Sequence, residues 1–565
     1  MQIFSKILLV LFITFTISHN LLSESKDPVR GKNGMVVSAS EIASKVGIEI
    51  LRKGGNAIDA AVAVGFALAV TYPAAGNIGG GGFMVIHLND GTNTTIDYRE
   101  KAPLSANEFL YQDSLGNFLS EKSQIGVTSS GVPGSVAGLI YALNKFGKLS
   151  LAEVIQPAID LARNGFILEY RLAKSLEYET ESFNKYESSK EVFTKDGNAY
   201  AEGDLFKQND LANTLDLIKN YGSDGFYSGK TADLIVNQIT LQGGFITLDD
   251  LKNYKPIERT AITTDYKGYS VITMGPPSGG GVSLLQMLNI LENQSFVQAD
   301  WGSSFYLHKL IESMKYSFAD RSKHIGDPDY YQVPIDWLLS KKYSKEIFGK
   351  IKNDATPSSE ILPSIANTYS ESEETTHYSI IDKFGNAVST TTTINSSYGS
   401  KVVVRGAGFL LNNEMDDFSS KPGEPNQFGL IGSEANKIEP GKRMLSSMSP
   451  IIIFKDNKPF MIVGSPGGST ISTVVLQVIL NVLDFGMDIQ QAIDMPRIHH
   501  QWLPDVINYE KFGLSSDVIQ SLQIKGHKMG ELRTLGRCEG IMVDFENQIF
   551  LGATDPRGYG AAIGF

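Results

Sequence analysis

Apolar residues at four-residue spacing, Ile42, Val46 and Ile50, run up to Gly54 and Gly55 and predict an amphipathic helix stopped by a glycine pair. Ser38 and Glu41 stand at capping-box spacing ahead of it. After Asp59, the eleven residues Ala60 to Val70 are apolar on every face, too few to cross a bilayer, and predict a helix buried inside a large core. Gly79 to Gly82 then lead into a predicted strand at Phe83 to Leu88, a turn at Asn89-Asp90-Gly91 and a second strand at Thr94 to Tyr98.

Residues 149–352 alternate amphipathic stretches with Gly and Pro turns and predict a mostly helical region. The pattern changes at residues 353–374, where Pro, Ser and Glu cluster into the composition of an exposed connector ending at Glu374. Thr376 to Asp382 alternates as a strand, Lys383 to Asn386 supplies a turn, and Ala387 to Ile394 is a β-branched return strand. Thr375 thus sits where the connector enters a β-hairpin. Farther on, the apolar strand Phe460 to Val463 runs into Gly464-Ser465-Pro466-Gly467-Gly468 and a helix beginning near Ser469.

Charge and cysteine content narrow the picture. Fifty basic residues against 62 acidic ones give a net charge of -12, with no long basic run, which disfavours a nucleic-acid partner. Residues 1–18, with Lys6 ahead of the apolar run Ile7 to Ile17, read as a signal peptide cut near Ser18; the run is short for a stable membrane span. The expected location is therefore periplasmic or secreted. Cys538 is the only cysteine, so no internal disulfide frames the fold. His499-His500 lacks metal-ligand spacing, and neither a metal nor an organic cofactor is expected. The glycine turns at 79–82 and 464–468 lack the Gly-Lys-Ser/Thr ending of a phosphate loop.

A threonine hydroxyl is a poor nucleophile without a base beside it, and a free α-amino group, with a pKa of roughly 7.7–8.0, can be that base on the same residue. A cut between Glu374 and Thr375 would create it. Taken alone, a Thr-Thr pair at a strand start reads as ordinary β-sheet sequence. The surrounding motifs change this. Thr-Thr-His-Tyr-Ser (375–379), Leu-Asn-Asn-Glu-Met-Asp-Asp-Phe (411–418), Gly-Lys-Arg-Met-Leu-Ser-Ser-Met-Ser-Pro (441–450) and Gly-Ser-Pro-Gly-Gly-Ser (464–469) follow in order, with Asp-Tyr-Arg-Glu-Lys-Ala-Pro (97–103) and Asp320-Arg321 upstream. Together they closely resemble the γ-glutamyltranspeptidase family, over essentially the whole chain after the leader.

The resemblance implies an α+β fold, the four-layer αββα sandwich of N-terminal nucleophile hydrolases. It implies a large chain, residues 19–374, and a small one, 375–565, cut from one precursor and held as a heterodimer. Thr375 would be nucleophile, Thr393 its partner, and the N–H groups of Gly467 and Gly468 the oxyanion donors. Arg99 with Ser446 and Ser447 would hold the substrate carboxylate, and Asn395, Glu414 and Asp417 its ammonium. Residues 421–430 resemble the family's lid loop, with Phe428 where the familiar bacterial pattern has Tyr. The expected activity is transfer of the γ-glutamyl group of glutathione and related amides to water, amino acids or dipeptides. Two alternatives stay open: a glutaryl-cephalosporin-type acylase, and an inactive protein that binds γ-glutamyl peptides.

Overall fold

The computed structural model describes residues 25–362, 375–421 and 423–565, so the leader and Glu374 lie outside the described residues. Two seven-stranded antiparallel sheets dominate. Across the first, the strands run Ala561–Gly564, Gly34–Ser38, Thr376–Asp382, Ala387–Thr393, Gly81–His87, Asn93–Asp97 and Ile257–Arg259. The second reads Val29–Gly31, Ile549–Thr554, Glu539–Asp544, Lys458–Gly464, Ile451–Lys455, Tyr269–Thr273 and Ile262–Tyr266.

Period-two alternation decides which layer each side chain enters. Met35, Val37, Val85 and Ile381 point from the first sheet to meet Ile272, Ile452, Phe454 and Ile462 of the second. Their neighbours Val36, Met84, Ile86 and Ile380 face the opposite way, into a core built with helices. Ile451, Ile453, Met461 and Val463 do the same on the far side of the second sheet. Both faces of each sheet are therefore covered, giving the four-layer αββα order.

The predicted buried helix is Ala57–Thr71, with every residue buried. It lies against the first sheet and is covered by helices Glu41–Arg52, Ser135–Phe146 and Leu151–Asn164. Asn56 and Asp59 form its capping box. The cap expected at Ser38 is instead at Ser40, whose side chain accepts from the Ala43 N–H. Ser38 is the last residue of a strand, and its hydroxyl bonds Ser44 at 2.8 Å.

The region 149–352 is mainly helical but also supplies three strands of the two large sheets, Ile257–Arg259, Ile262–Tyr266 and Tyr269–Thr273. The connector is not loose along its whole length: the Ala355 N–H donates to Lys525 O at 2.6 Å, and the Ser358 hydroxyl to Trp502 O at 2.6 Å. These bonds dock residues 355–358 onto the C-terminal part of the chain, at Trp502 and Lys525, while residues 363–374 lie outside the described residues.

Candidate active site

The hairpin Thr376–Asp382/Ala387–Thr393 pairs Thr376 with Thr392, and one step farther along the same register Thr375 faces Thr393. The Thr375 hydroxyl donates to Thr393 Oγ1 in a long contact of 3.5 Å, and Thr375 is nearly buried, with 4% exposed. Thr393 Oγ1 also accepts from the Asn395 N–H at 2.8 Å. Asn395 has a positive φ of 76°, which turns the chain out of the strand, and its side-chain amide donates to Asn413 O at 3.0 Å. Asn77, which the sequence did not single out, braces this corner. Its amide donates to Thr393 O at 2.9 Å, while its carbonyl oxygen accepts from Gly80 N and from Ser135 Oγ. No side chain fits at Gly80, where a Cβ would lie 2.1 Å from Thr393 O.

Two residues past strand Asn93–Asp97, Arg99 enters a cluster of carboxylates. Its guanidinium lies 2.6 Å from Glu414 and 3.2 Å from Glu100, and it also pairs closely with Asp417. Glu414 and Asp417 come from the single turn Glu414–Asp417. Burial works against the Arg99 charge, but Glu414, Glu100 and Asp417 outweigh it and raise its pKa above the ordinary guanidinium value. Burial likewise raises the pKa of Glu414, with Arg99 opposing the shift. The sequence reading placed Arg99 at one end of the ligand and Glu414 and Asp417 at the other. Here they touch, because a buried cation needs carboxylates close by to offset its desolvation.

Ser446 and Ser447 arrive on the segment after Gly441. Ser446 is bracketed by backbone bonds, its N–H to Pro277 O at 2.9 Å and its O from Gly279 N at 2.7 Å. Gly280 permits this, since a Cβ there would lie 1.9 Å from Ser447 O. Across the cavity, strand Lys458–Gly464 ends in the glycine turn, with φ of +135° at Gly467 and +52° at Gly468. Among the described residues, neither N–H of this glycine pair donates to a protein acceptor. Phe428 closes over Gly468 and is 4% exposed. Its loop is fastened without a hydroxyl: Asn426 Oδ1 accepts from Phe428 N at 3.0 Å and Leu430 N at 3.1 Å, and Gln427 N donates to Asp416 at 2.8 Å.

One cavity is lined by Thr375, Thr393, Asn395, Arg99, Glu414, Asp417, Ser446, Ser447, Gly468 and Phe428. Gly467 adjoins it without lining it, and Glu374 lies outside the described residues. Arg321, which the sequence offers only as part of the Asp320-Arg321 motif and without a role, also lines it, as does Asn436, which was not anticipated. Asn436 ties Leu445 to the acidic turn, accepting from Leu445 N at 2.9 Å and donating to Asp417 O at 2.7 Å.

A family model described as Gamma-glutamyltranspeptidase matches residues 43–565. The chain belongs to this family. It is 47% identical to the Glutathione hydrolase proenzyme of Escherichia coli (strain K12), over 96% of this chain and 93% of that one. Among family structures, Helicobacter pylori gamma-Glutamyltranspeptidase is 45% identical with a TM-score of 0.57, covering 60% of this chain and 96% of that one. Cephalosporin acylase from Bacillus halodurans is 28% identical with a TM-score of 0.85, covering 97% and 98%. The αββα order seen here is thus the family's N-terminal nucleophile hydrolase fold.

Residues with metal-binding chemistry are otherwise engaged. His499 bonds Thr473 at 2.8 Å and Gln501 at 2.9 Å, and His500 bonds Asp505 at 3.2 Å. Among the described residues, one trio, His308, Glu312 and His527, brings its ligand atoms within 4.8 Å of one another. With His308 Nε2 donating to Lys352 O at 2.9 Å, its Nδ1 lone pair accepts from His527 Nε2 at 2.8 Å, and these nitrogens of the two histidines are engaged. Burial pushes the Cys538 thiol up to about 12, which keeps it protonated and unreactive.

Proposed function

We propose that Thr375 Oγ1 attacks the carbonyl carbon of Glu374, that the peptide bond shifts to an ester on Thr375, and that water releases a large chain ending at Glu374 and a small chain beginning at Thr375. The freed α-amine then takes the proton from the Thr375 hydroxyl, which attacks the γ-carbonyl of a γ-glutamyl amide. The N–H groups of Gly467 and Gly468 face the developing oxyanion, the amine leaves with a proton, and a γ-glutamyl ester remains on Thr375. Water converts it to glutamate, and an amino acid or dipeptide converts it to a new γ-glutamyl product. Every step uses groups of the chain itself. The activity is that of a γ-glutamyltransferase and glutathione hydrolase.

The observation that carries this reading is the opposition of Thr375 and Thr393 in a cavity that also holds Arg99, the serine pair and two carboxylates. That charge distribution suits a zwitterion. The near-full-length likeness to a glutathione hydrolase proenzyme supports the same substrate class. A glutaryl acylase would need no site for an ammonium, and Glu414 and Asp417 beside Arg99 favour the γ-glutamyl substrate over it. Periplasmic or secreted location belongs to the same proposal and rests on the apolar leader; among the described residues no helix is long and apolar enough to cross a membrane.

Mass spectrometry of the purified protein, with a γ-glutamyl anilide assay run with and without glycylglycine, tests maturation and reaction type together. Two fragments and anilide release that rises with glycylglycine are expected. An uncut chain with full activity would exclude Thr375 as an amino-terminal nucleophile.

A further inference from the structure

Buried arginines in this fold are neutralised. Arg99 meets Glu414 and Asp417, Arg443 meets Asp97 and Arg497 meets Asp555. Arg321 is different. It lies in helix Ser304–His324, is 5% exposed and lines the active-site cavity. Among the described residues it forms no ion pair; Nη2 donates to Ser447 Oγ at 3.2 Å and Nε is buried without a partner. Burial, only partly countered by the more distant Asp417, pushes its pKa down to about 10. A guanidinium at that value is still charged at neutral pH, and a buried charge without a counterion is costly until an anion arrives.

The Ser447 contact fixes which way a proton points. A guanidinium has no acceptor, so Arg321 must donate and Ser447 Oγ must accept. The Ser447 O–H is then the remaining donor and is free to turn into the cavity. Ser446 is prepared in the same way, its Oγ accepting from Met448 N at 3.1 Å. Two hydroxyl donors side by side, one backed by a full positive charge, form a receptor for a carboxylate. Arg99 cannot fill that role alone, because its fork is already taken by carboxylates of the pocket.

We propose that Arg321 is a positioning residue for the substrate α-carboxylate: it orients the Ser447 hydroxyl toward that group and supplies the positive charge that Arg99 shares with Glu414 and Asp417. The inference rests on the γ-glutamyl reading and deepens it. It separates two duties within one site, with Arg99 linking both ends of the zwitterion and Arg321 answering to the carboxylate.

The test compares three anilides, γ-glutamyl, glutaryl and 4-aminobutanoyl; the last lacks the α-carboxylate and the second lacks the ammonium. Arg321→Gln is expected to raise KM for the first two by about 10- to 100-fold more than for 4-aminobutanoyl anilide, the size of a lost charged hydrogen bond. Appearance of the two fragments shows that the variant has folded. Arg321→Lys should recover part of the loss, since it restores charge without the fork. Ser447→Ala should show the same substrate selectivity, and combining it with Arg321→Gln should cost less than the product of the single effects. Equal losses on all three anilides, or single effects that multiply independently, would overturn the inference while leaving wild-type γ-glutamyl activity to speak for the broader reading. A wild type inactive on γ-glutamyl anilide would overturn both.

Discussion

In the proposed mechanism Thr375 carries two duties that differ in one requirement: cutting the precursor needs its hydroxyl, whereas turnover also needs the amine freed by that cut. Thr375→Ala is expected to remain a single chain without transferase activity on a denaturing gel and in the anilide assay. Thr375→Ser keeps the oxygen but loses the methyl that restricts χ1, and slow, incomplete cutting with a weaker enzyme is expected. Cutting of the alanine variant at the same bond and a normal rate would point to an outside protease. Asp417→Ala addresses recognition. It should raise KM for γ-glutamyl anilide about 10- to 100-fold more than for glutaryl anilide, as expected for a lost charged hydrogen bond. Because Asp417 also holds Arg99, some loss on the glutaryl substrate is expected too. At this scale the sequence was most legible where chemistry is local. The family resemblance names Thr393 as the partner of Thr375, and the hairpin register sets the two opposite each other. Arg321 stands in a recognised motif but its role could not be read, because its helix packs against Gly279–Leu291 and meets Ser447 only in the folded chain.

The glycine turn and the loop carrying Phe428 pack against each other. A methyl group on Gly468 would lie 2.9 Å from the Phe428 ring, and φ there is +52°, a region that alanine adopts only at modest cost. Gly468→Ala is therefore expected to lower kcat by about 100-fold through displacement of the oxyanion N–H. Adding Phe428→Ala should return part of that loss by making room. No recovery in steady-state kinetics would mean that the strain lies in the backbone and not against the lid. The hairpin offers a pH test. Burial lowers His377 to about 3 from the ordinary 6.5, and it sits neutral between Thr391 at 2.9 Å and Ser379 at 3.0 Å. Its contribution to stability is complete above pH 6.5 and is lost as pH falls toward 3, since only the unfolded chain takes up the proton, at up to ~1.4 kcal/mol per pH unit. His377→Gln should be less stable at pH 7 yet show a smaller fall in Tm from pH 6.5 to 4. Elements were legible where apolar periodicity was clean, as in Ala57–Thr71 and the hairpin. The strands Ile262–Tyr266 and Tyr269–Thr273 were lost because Thr, Asp and Ser dilute their pattern, and pairing across the sheet determines their conformation.

In both sheets, strands from the two sides of the Glu374–Thr375 bond are hydrogen-bonded to one another. Thr376–Asp382 is zipped to Gly34–Ser38, Ala387–Thr393 to Gly81–His87, and Ile451–Lys455 to Tyr269–Thr273. None of these partnerships is visible in a linear reading, since each joins segments far apart along the chain. Their consequence is a direction in time. The hairpin can be threaded between its neighbours only while one chain holds the pieces at a high effective concentration, so folding must come before the cut. Afterwards the reverse path is closed: strands that separate on unfolding must find one another as two molecules. The uncut Thr375→Ala chain is therefore expected to refold from denaturant at a rate independent of protein concentration. The mature pair should recover more slowly as it is diluted, and less completely. Equal, concentration-independent recovery by both would show that the pieces can dock as preformed units. Otherwise the protein, once cut as proposed, is a one-way assembly, persistent because of its barrier to coming apart and not because of any ability to form again.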